Sequence, residues 1–189
     1  MLTIIEVIKA ILFGVVEGIT EWLPISSTGH MILLDEFVKL DVSAEFLDLF
    51  LVVIQLGAIL AVVVIYWNKL IPLSTKHGLY ISRRKCKMWV KIIVASIPAG
   101  VVGILWDDVF TKYFYNYQTV AIMLILVGIV FILVERANKN KVARVDSIDD
   151  ISYGQAFMIG VFQMIAAIFP GTSRSGSTIV GSLMLGISR

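Results

Sequence analysis

Two polar, glycine-marked segments, Pro-Ile-Ser-Ser-Thr-Gly-His (Pro24 to His30) and Pro-Gly-Thr-Ser-Arg-Ser-Gly (Pro170 to Gly176), interrupt a chain that is otherwise apolar over most of its length. A bilayer core holds no water to satisfy backbone N–H and C=O groups, so irregular backbone at that depth survives only where protein buries it or where it lines a cavity. That the surroundings are lipid follows from a chain that is 58% hydrophobic and 16% charged, with a mean hydropathy of +0.90, well outside the range of a soluble domain. The two breaks therefore mark the working site of an integral membrane protein.

Apolar runs at roughly 46–66, 89–106 and 119–134 are each close to the ~20 residues that a spanning helix needs. The loop after the first carries Lys69, Lys76, Arg83, Arg84, Lys85 and Lys87, and the one after the third carries Arg136, Lys139, Lys141 and Arg144. The positive-inside rule makes both cytoplasmic and turns the acidic stretch Asp35 to Asp48 and the loop from Asp107 to Gln118 outward. Trp67, Trp89, Trp106, Tyr113, Tyr115 and Tyr117 fall where interfacial anchors belong. The first apolar run carries Glu6 and Lys9 and lacks a small-residue cleavage site, so no cleaved signal peptide is expected. Cys86 has no partner for an intrachain disulfide, and a net charge of +2 gives no reason to expect nucleic acid as a partner.

Shifting the chain by 146 residues lays Gly14, Val15, Ile19, Pro24 and Ser27 on Gly160, Val161, Ile165, Pro170 and Ser173. Both copies run apolar helix, proline, hydroxyl-rich break, new helix. Three crossings separate them, so copies that each dip and return on their own side enter from opposite faces, the plan of an inverted repeat. Copies that each span fully would point the same way. The Leu23-Pro24 break and the short polar loop favour dipping. The expected organisation is one all-α membrane domain over 1–189, a polytopic helical bundle with re-entrant helix-loop-helix segments. Its first repeat covers about 1–66 around a motif at 17–30, and its second starts at about 150 around 163–177. That second repeat is expected to be incomplete, since the apolar run from Thr178 covers only about half a crossing before Arg189.

Glu17 and Glu21 share one helix face, and a charge at mid-bilayer costs about 2.5–3.5 kcal/mol even on the gentlest scale. A bridging divalent cation is the simplest compensation, and hard carboxylate oxygens favour Mg2+ or Ca2+ over zinc. The alternative is a solvated pair at a helix end. Ser26, Thr28 and Gly29 suit the N-terminus of the helix that follows, with capping and catalysis both open for the two hydroxyls. Ser27 is a candidate nucleophile with His30 three residues on as proton partner. In the second copy Gln163 and Ala167 stand where the carboxylates were, and Arg174 stands at Thr28's place. Arg174 among Gly171, Thr172, Ser173, Ser175 and Gly176 at a helix start is an anion cradle suited to phosphate. Together these groups point to hydrolysis of a lipid-linked phosphate. A transporter built on broken helices and a helix-packing scaffold are the alternatives from other classes.

At the same residues the chain resembles the undecaprenyl pyrophosphate phosphatase family, the bacitracin-resistance enzymes of bacteria. The resemblance runs over the whole chain and is carried by Glu17 to His30 (E-G-I-T-E-W-L-P-I-S-S-T-G-H), Ile97 to Gly100 (I-P-A-G) and Pro170 to Gly176. It implies a multi-pass bacterial plasma-membrane enzyme with interlocking inverted repeats. Such an enzyme hydrolyses undecaprenyl diphosphate to the monophosphate and phosphate, recycling the carrier lipid for peptidoglycan synthesis. The family's acidic pair falls on Glu17 and Glu21, its serine and histidine on Ser27 and His30, and its phosphate-binding arginine on Arg174. Outward access of the site is implied as well. A homodimer is left open, as is attack by Ser27, by His30 or by water. The length is shorter than the family's, so part of the lipid-facing wall is expected to be missing.

Overall fold

The computed structural model describes residues 3–74 and 80–188, so Lys76 of the basic loop and Arg189 lie outside the described residues. The fold is all-α, as expected. The helices are α1 (Ile4–Glu21), α2 (Ser27–Phe37), α3 (Ala44–Ile65), the short α4 (Trp67–Leu70), α5 (Arg83–Phe114), α6 (Tyr117–Asn138), α7 (Tyr153–Ile168) and α8 (Arg174–Met184). A two-residue antiparallel pair, β1 (Leu73–Ser74) with β2 (Tyr80–Ile81), and a 3-10 turn at Ile148–Asp150 sit in the connecting loops.

Helices α3, α5 and α6 are long and apolar enough to cross a membrane, and only 6% of the most apolar window of each is buried. Side chains such as Leu60, Val64, Ile104, Ile125 and Leu133 point outward, which suits lipid rather than a protein core. The loop expected from Asp107 to Gln118 is shorter than that, because α5 stays helical through Phe114. The helix ends at Phe114, and Asn116 Oδ1 accepts the Thr119 N–H at 2.9 Å to cap α6.

The chain pairs off around the two breaks. Helix α1 packs on α2 and α3, α7 packs on α5 and α8, and α6 touches both α2 and α8. Gly160 lets α7 press against the kink-prone stretch of α5, since a Cβ there would lie 2.2 Å from the Ala95 carbonyl oxygen and 2.9 Å from Pro98. At 11 residues each, α2 and α8 are about 16 Å long, half a bilayer core. The end of each returns to the start of its own copy. Lys9 Nζ donates to the Lys39 carbonyl at 2.6 Å and the Asp41 N–H donates to Glu6 Oε2 at 2.9 Å. In the second copy the Arg144 N–H donates to the Gly186 carbonyl and the Ser188 N–H to the Val145 carbonyl, both at 2.8 Å. The apolar run from Thr178 is thus not the start of a new crossing. It is the second half of α8, which stops at Met184 before Gly186 turns the chain at φ +75°.

Candidate active site

Each break ends in a serine that caps the short helix after it. Ser26 Oγ accepts the Gly29 N–H at 3.3 Å, and Ser173 Oγ accepts the Gly176 N–H at 3.0 Å. Matching the caps gives an offset of 147 residues, whereas Pro24 and Pro170 match at 146. The second break holds one extra residue, and Gly171 absorbs it at φ +88°. The pairing expected from the sequence shifts by one as a result: Arg174 corresponds to Ser27, not Thr28. Both are the first residue of their helix and both line the same polar cavity of about 700 Å3.

Glycine holds the breaks together. A Cβ on Gly29 would lie 3.1 Å from Gly171 Cα, one on Gly176 would lie 3.0 Å from the Pro24 carbonyl, and one on Gly171 would lie 2.7 Å from the Val120 carbonyl. Any larger side chain would pry the two helix N-termini apart. Ser26 carries local strain, at φ +68° in a region that non-glycine residues seldom occupy. That twist turns its carbonyl to the inside of α2's first turn, where it accepts the His30 N–H at 3.2 Å and lies 2.8 Å from His30 Nδ1.

The hydroxyl of Ser27, buried at 5% exposure, donates to Glu21 Oε2. The structure therefore brings Ser27 to Glu21, not to His30. The ring of His30 lines a separate, apolar cavity with Pro24 and Phe131. With Nδ1 donating to the Ser26 carbonyl, the lone pair of the neutral ring sits on Nε2.

Glu17 is 2% exposed and lines a smaller cavity of about 200 Å3. Thr28, Gln55 and Tyr115 line both this cavity and the polar one that holds Glu21, so the two carboxylates face neighbouring cavities that share a wall. Among the described residues no three or more His, Cys, Asp or Glu side chains form a metal-binding group. The donor chemistry of two carboxylates and the Gln55 amide oxygen would suit a hard cation such as Mg2+.

Thr172, Ser173, Arg174 and Ser175 line the same polar cavity as Glu21. Arg174 is exposed to that space and, among the described residues, makes no ion pair. Thr172 Oγ1 is buried without a hydrogen-bond partner. Ser173 and Ser175 hydroxyls lie 3.1 Å apart, and Gly176 gives its N–H to the cap. Both short helices thus aim their positive ends at one cavity that also holds a guanidinium and is lined by Ser173 and Ser175, an arrangement that favours an anion with several oxygens.

Gln55, Ser96 and Tyr115 are among the cavity residues that sequence did not assign to the site. Gln55 and Ser96 lie within spanning helices, where an isolated polar side chain is itself a signal. Tyr115, assigned there to interfacial anchoring, lines the cavity instead.

A family model described as "Bacitracin resistance protein BacA" matches residues 10–189. An undecaprenyl-diphosphatase of Desulfitobacterium hafniense is 64% identical over 188 residues, covering 100% of this chain and 68% of that protein. Undecaprenyl-diphosphatase 1 of Clostridium acetobutylicum is 60% identical over 185 residues, covering 98% and 68%. An undecaprenyl-diphosphatase of Enterococcus faecalis is 52% identical over 190 residues, covering 100% and 68%.

Proposed function

This chain belongs to the bacitracin resistance protein BacA family, and from that premise we propose that it hydrolyses undecaprenyl diphosphate to undecaprenyl phosphate and inorganic phosphate, supporting cell-wall synthesis and bacitracin resistance. One observation carries the assignment of roles. Ser27 and Arg174 each open a short helix, and both helices point into the cavity beside Glu21.

The diphosphate head sits in that cavity. Arg174 and the N–H groups at the starts of α2 and α8 hold the terminal phosphoryl oxygens, with Thr172, Ser173 and Ser175 beside them. Ser26 and Gly176 shape the caps, and Thr28 stands between the two carboxylate cavities. Ser27 Oγ attacks the terminal phosphorus. A serine–phosphorus bond forms, the bond from phosphorus to the bridging oxygen breaks, and undecaprenyl phosphate leaves. The Ser27 proton passes to Glu21, its hydrogen-bond partner. Water then cleaves the phosphoserine and releases phosphate. His30 is a positioning residue that braces the strained Ser26. Glu17 and Glu21, with Gln55, would hold a divalent cation, Mg2+ or Ca2+, which supplies charge neutralisation at the phosphoryl oxygens when bound.

The protein is a multi-pass membrane protein, and we place it in the bacterial plasma membrane with its two repeats inverted. The return of α2 to the start of α1, and of α8 to the strap before α7, supports the inversion. Access is from the outer face. Asp107 and Tyr115, from the loop region poor in Lys and Arg, line the cavity, which supports that reading.

The test is phosphate release from undecaprenyl or farnesyl diphosphate by the detergent-solubilised protein, with and without Mg2+ or Ca2+, beside Arg174→Ala and Ser27→Ala. Cation-dependent release that is lost in both variants is expected. Undiminished hydrolysis in Ser27→Ala would sink the serine route, and no release from folded wild-type protein would sink the phosphatase.

A further inference from the structure

The end of α6 and the end of α8 enclose another cavity, of about 780 Å3, remote from both breaks. About 27 Å of helix separates Val120, which lies against the second break, from Asn138 at the cavity. Lys139, Lys141 and Arg144 line it, against a single lining carboxylate, Glu135. The strap that carries these cations is fixed to the end of the second copy. The Arg144 and Val145 N–H groups both donate to the Gly186 carbonyl, at 2.8 and 3.3 Å, and the Ser188 N–H donates to the Val145 carbonyl at 2.8 Å. The stem of Arg144 lies over Gly186, where a Cβ would stand 3.6 Å from its Cδ and 3.7 Å from its Cγ.

Cations of the other basic region are engaged by the protein itself. Arg84 pairs with Asp149, Lys85 Nζ donates to the Asn68 and Ile71 carbonyls, and Lys91 Nζ donates to the Ile148 and Asp149 carbonyls. Lys139, Lys141 and Arg144 make no ion pair among the described residues. They instead converge on one cavity whose rim is apolar, with Val142 91% and Met184 58% exposed. We propose that this cavity is a headgroup site for an anionic membrane phospholipid, separate from the cavity at the breaks and independent of what that cavity hydrolyses. The three cations meet the phosphate, and the exposed Val142 and Met184 meet the first carbons of the acyl chains, a pairing that a free phosphate ion has no use for. Basic pockets between helix ends at a membrane surface bind lipid headgroups in this way. A lipid seated there bridges the strap and the end of α8, and so steadies the helix whose first residue is Arg174.

The test is the melting temperature of the detergent-solubilised protein titrated with phosphatidylglycerol, phosphatidylcholine or inorganic phosphate. Phosphatidylglycerol is expected to raise it by about 3 °C or more, and the other two to leave it unchanged. Lys139→Gln/Lys141→Gln/Arg144→Gln should weaken the apparent affinity for phosphatidylglycerol by about 10²-fold, at roughly fivefold per basic residue. Lys69→Gln/Arg83→Gln/Lys87→Gln removes the same charge from exposed residues of the other basic region and should keep the wild-type affinity. Equal weakening in both variants means diffuse attraction and overturns the site. Protection by inorganic phosphate as strong as by phosphatidylglycerol overturns the lipid assignment, and so does equal protection by phosphatidylcholine or none by any of the three. A measurement on wild-type protein keeps the proposal open to refutation even if the first variant does not fold. Phosphatidylglycerol carrying a photoreactive azide on its headgroup should label residues 139–145 or 183–188, and labelling confined to other segments refutes the site.

Discussion

Ser27 and Arg174 occupy equivalent positions in two copies of one structural unit, so the candidate nucleophile and the phosphate clamp face each other because the copies do. Arg174 can give a forked pair of N–H groups to one phosphoryl, which a lysine cannot. Arg174→Ala should lower kcat/KM by about 10²- to 10³-fold, the usual cost of removing a charge-stabilising donor, and Arg174→Lys should recover little of it. Steady-state phosphate release measures both, and recovery by lysine to near wild type would argue for a simple point charge. Ser27 donates to Glu21, so their losses should overlap: the Ser27→Ala/Glu21→Gln double variant is expected to lose less than the product of the two single losses, the remainder reflecting Glu21's hold on the cation. Multiplicative losses would separate their roles. Thr172 supplies a different kind of test. Its hydroxyl is buried and unpaired, a state that costs about 1–3 kcal/mol, so Thr172→Val should leave thermal stability equal or higher. A drop in melting temperature would mean that the hydroxyl has a structural partner.

At the scale of elements, glycines decide how closely the pieces approach. Gly14 and Gly160 match in the repeat, yet a Cβ at Gly160 meets the Ala95 carbonyl at 2.2 Å and one at Gly14 meets nothing within 4 Å. Gly160→Ala should therefore destabilise the protein by about 1–3 kcal/mol, as overpacking does, whereas Gly14→Ala should be neutral or stabilising by about 0.5–1 kcal/mol. Thermal unfolding in detergent compares them, and equal effects would mean that α7 does not press on α5 as the structure has it. The same contrast explains what was legible beforehand. Polar residues stranded in apolar sequence are visible without coordinates, and so are the proline-marked starts of the two breaks, because lipid leaves such residues few other uses. The one-residue change of register was not visible, because it depends on Gly171 adopting φ +88°. Nor was the partner of Ser27. Spacing allowed His30, but the turn at Ser26 draws the imidazole to its own carbonyl and leaves the hydroxyl to Glu21. Gln55 and Tyr115 join the site only through the packing of distant helices.

For the whole molecule the question is whether the two copies enter from opposite faces. The first copy closes on itself through Lys9, Lys39 and Asp41, the second through Arg144, Gly186 and Ser188. Between the two closures run the three spanning helices, an odd number of crossings, which carries the chain from one face to the other. On the proposed orientation, in which the loop with Arg136, Lys139, Lys141 and Arg144 is cytoplasmic, the second closure faces the cytoplasm and the first the outer side. Cysteines placed singly at Ile5, Asp41, Val142 and Met184 in a Cys86→Ser background sort these arrangements. All four native residues are exposed, so labelling reports sidedness rather than burial. A membrane-impermeant maleimide added to intact cells should reach positions 5 and 41 together, and reach 142 and 184 only after the membrane is opened. Helices that crossed fully would split each pair, with 5 and 41 on opposite sides. Agreement within pairs and opposition between them is a result that inverted dipping segments produce and parallel crossings cannot, because α2 and α8 at about 16 Å are too short to carry the chain across a core of about 30 Å.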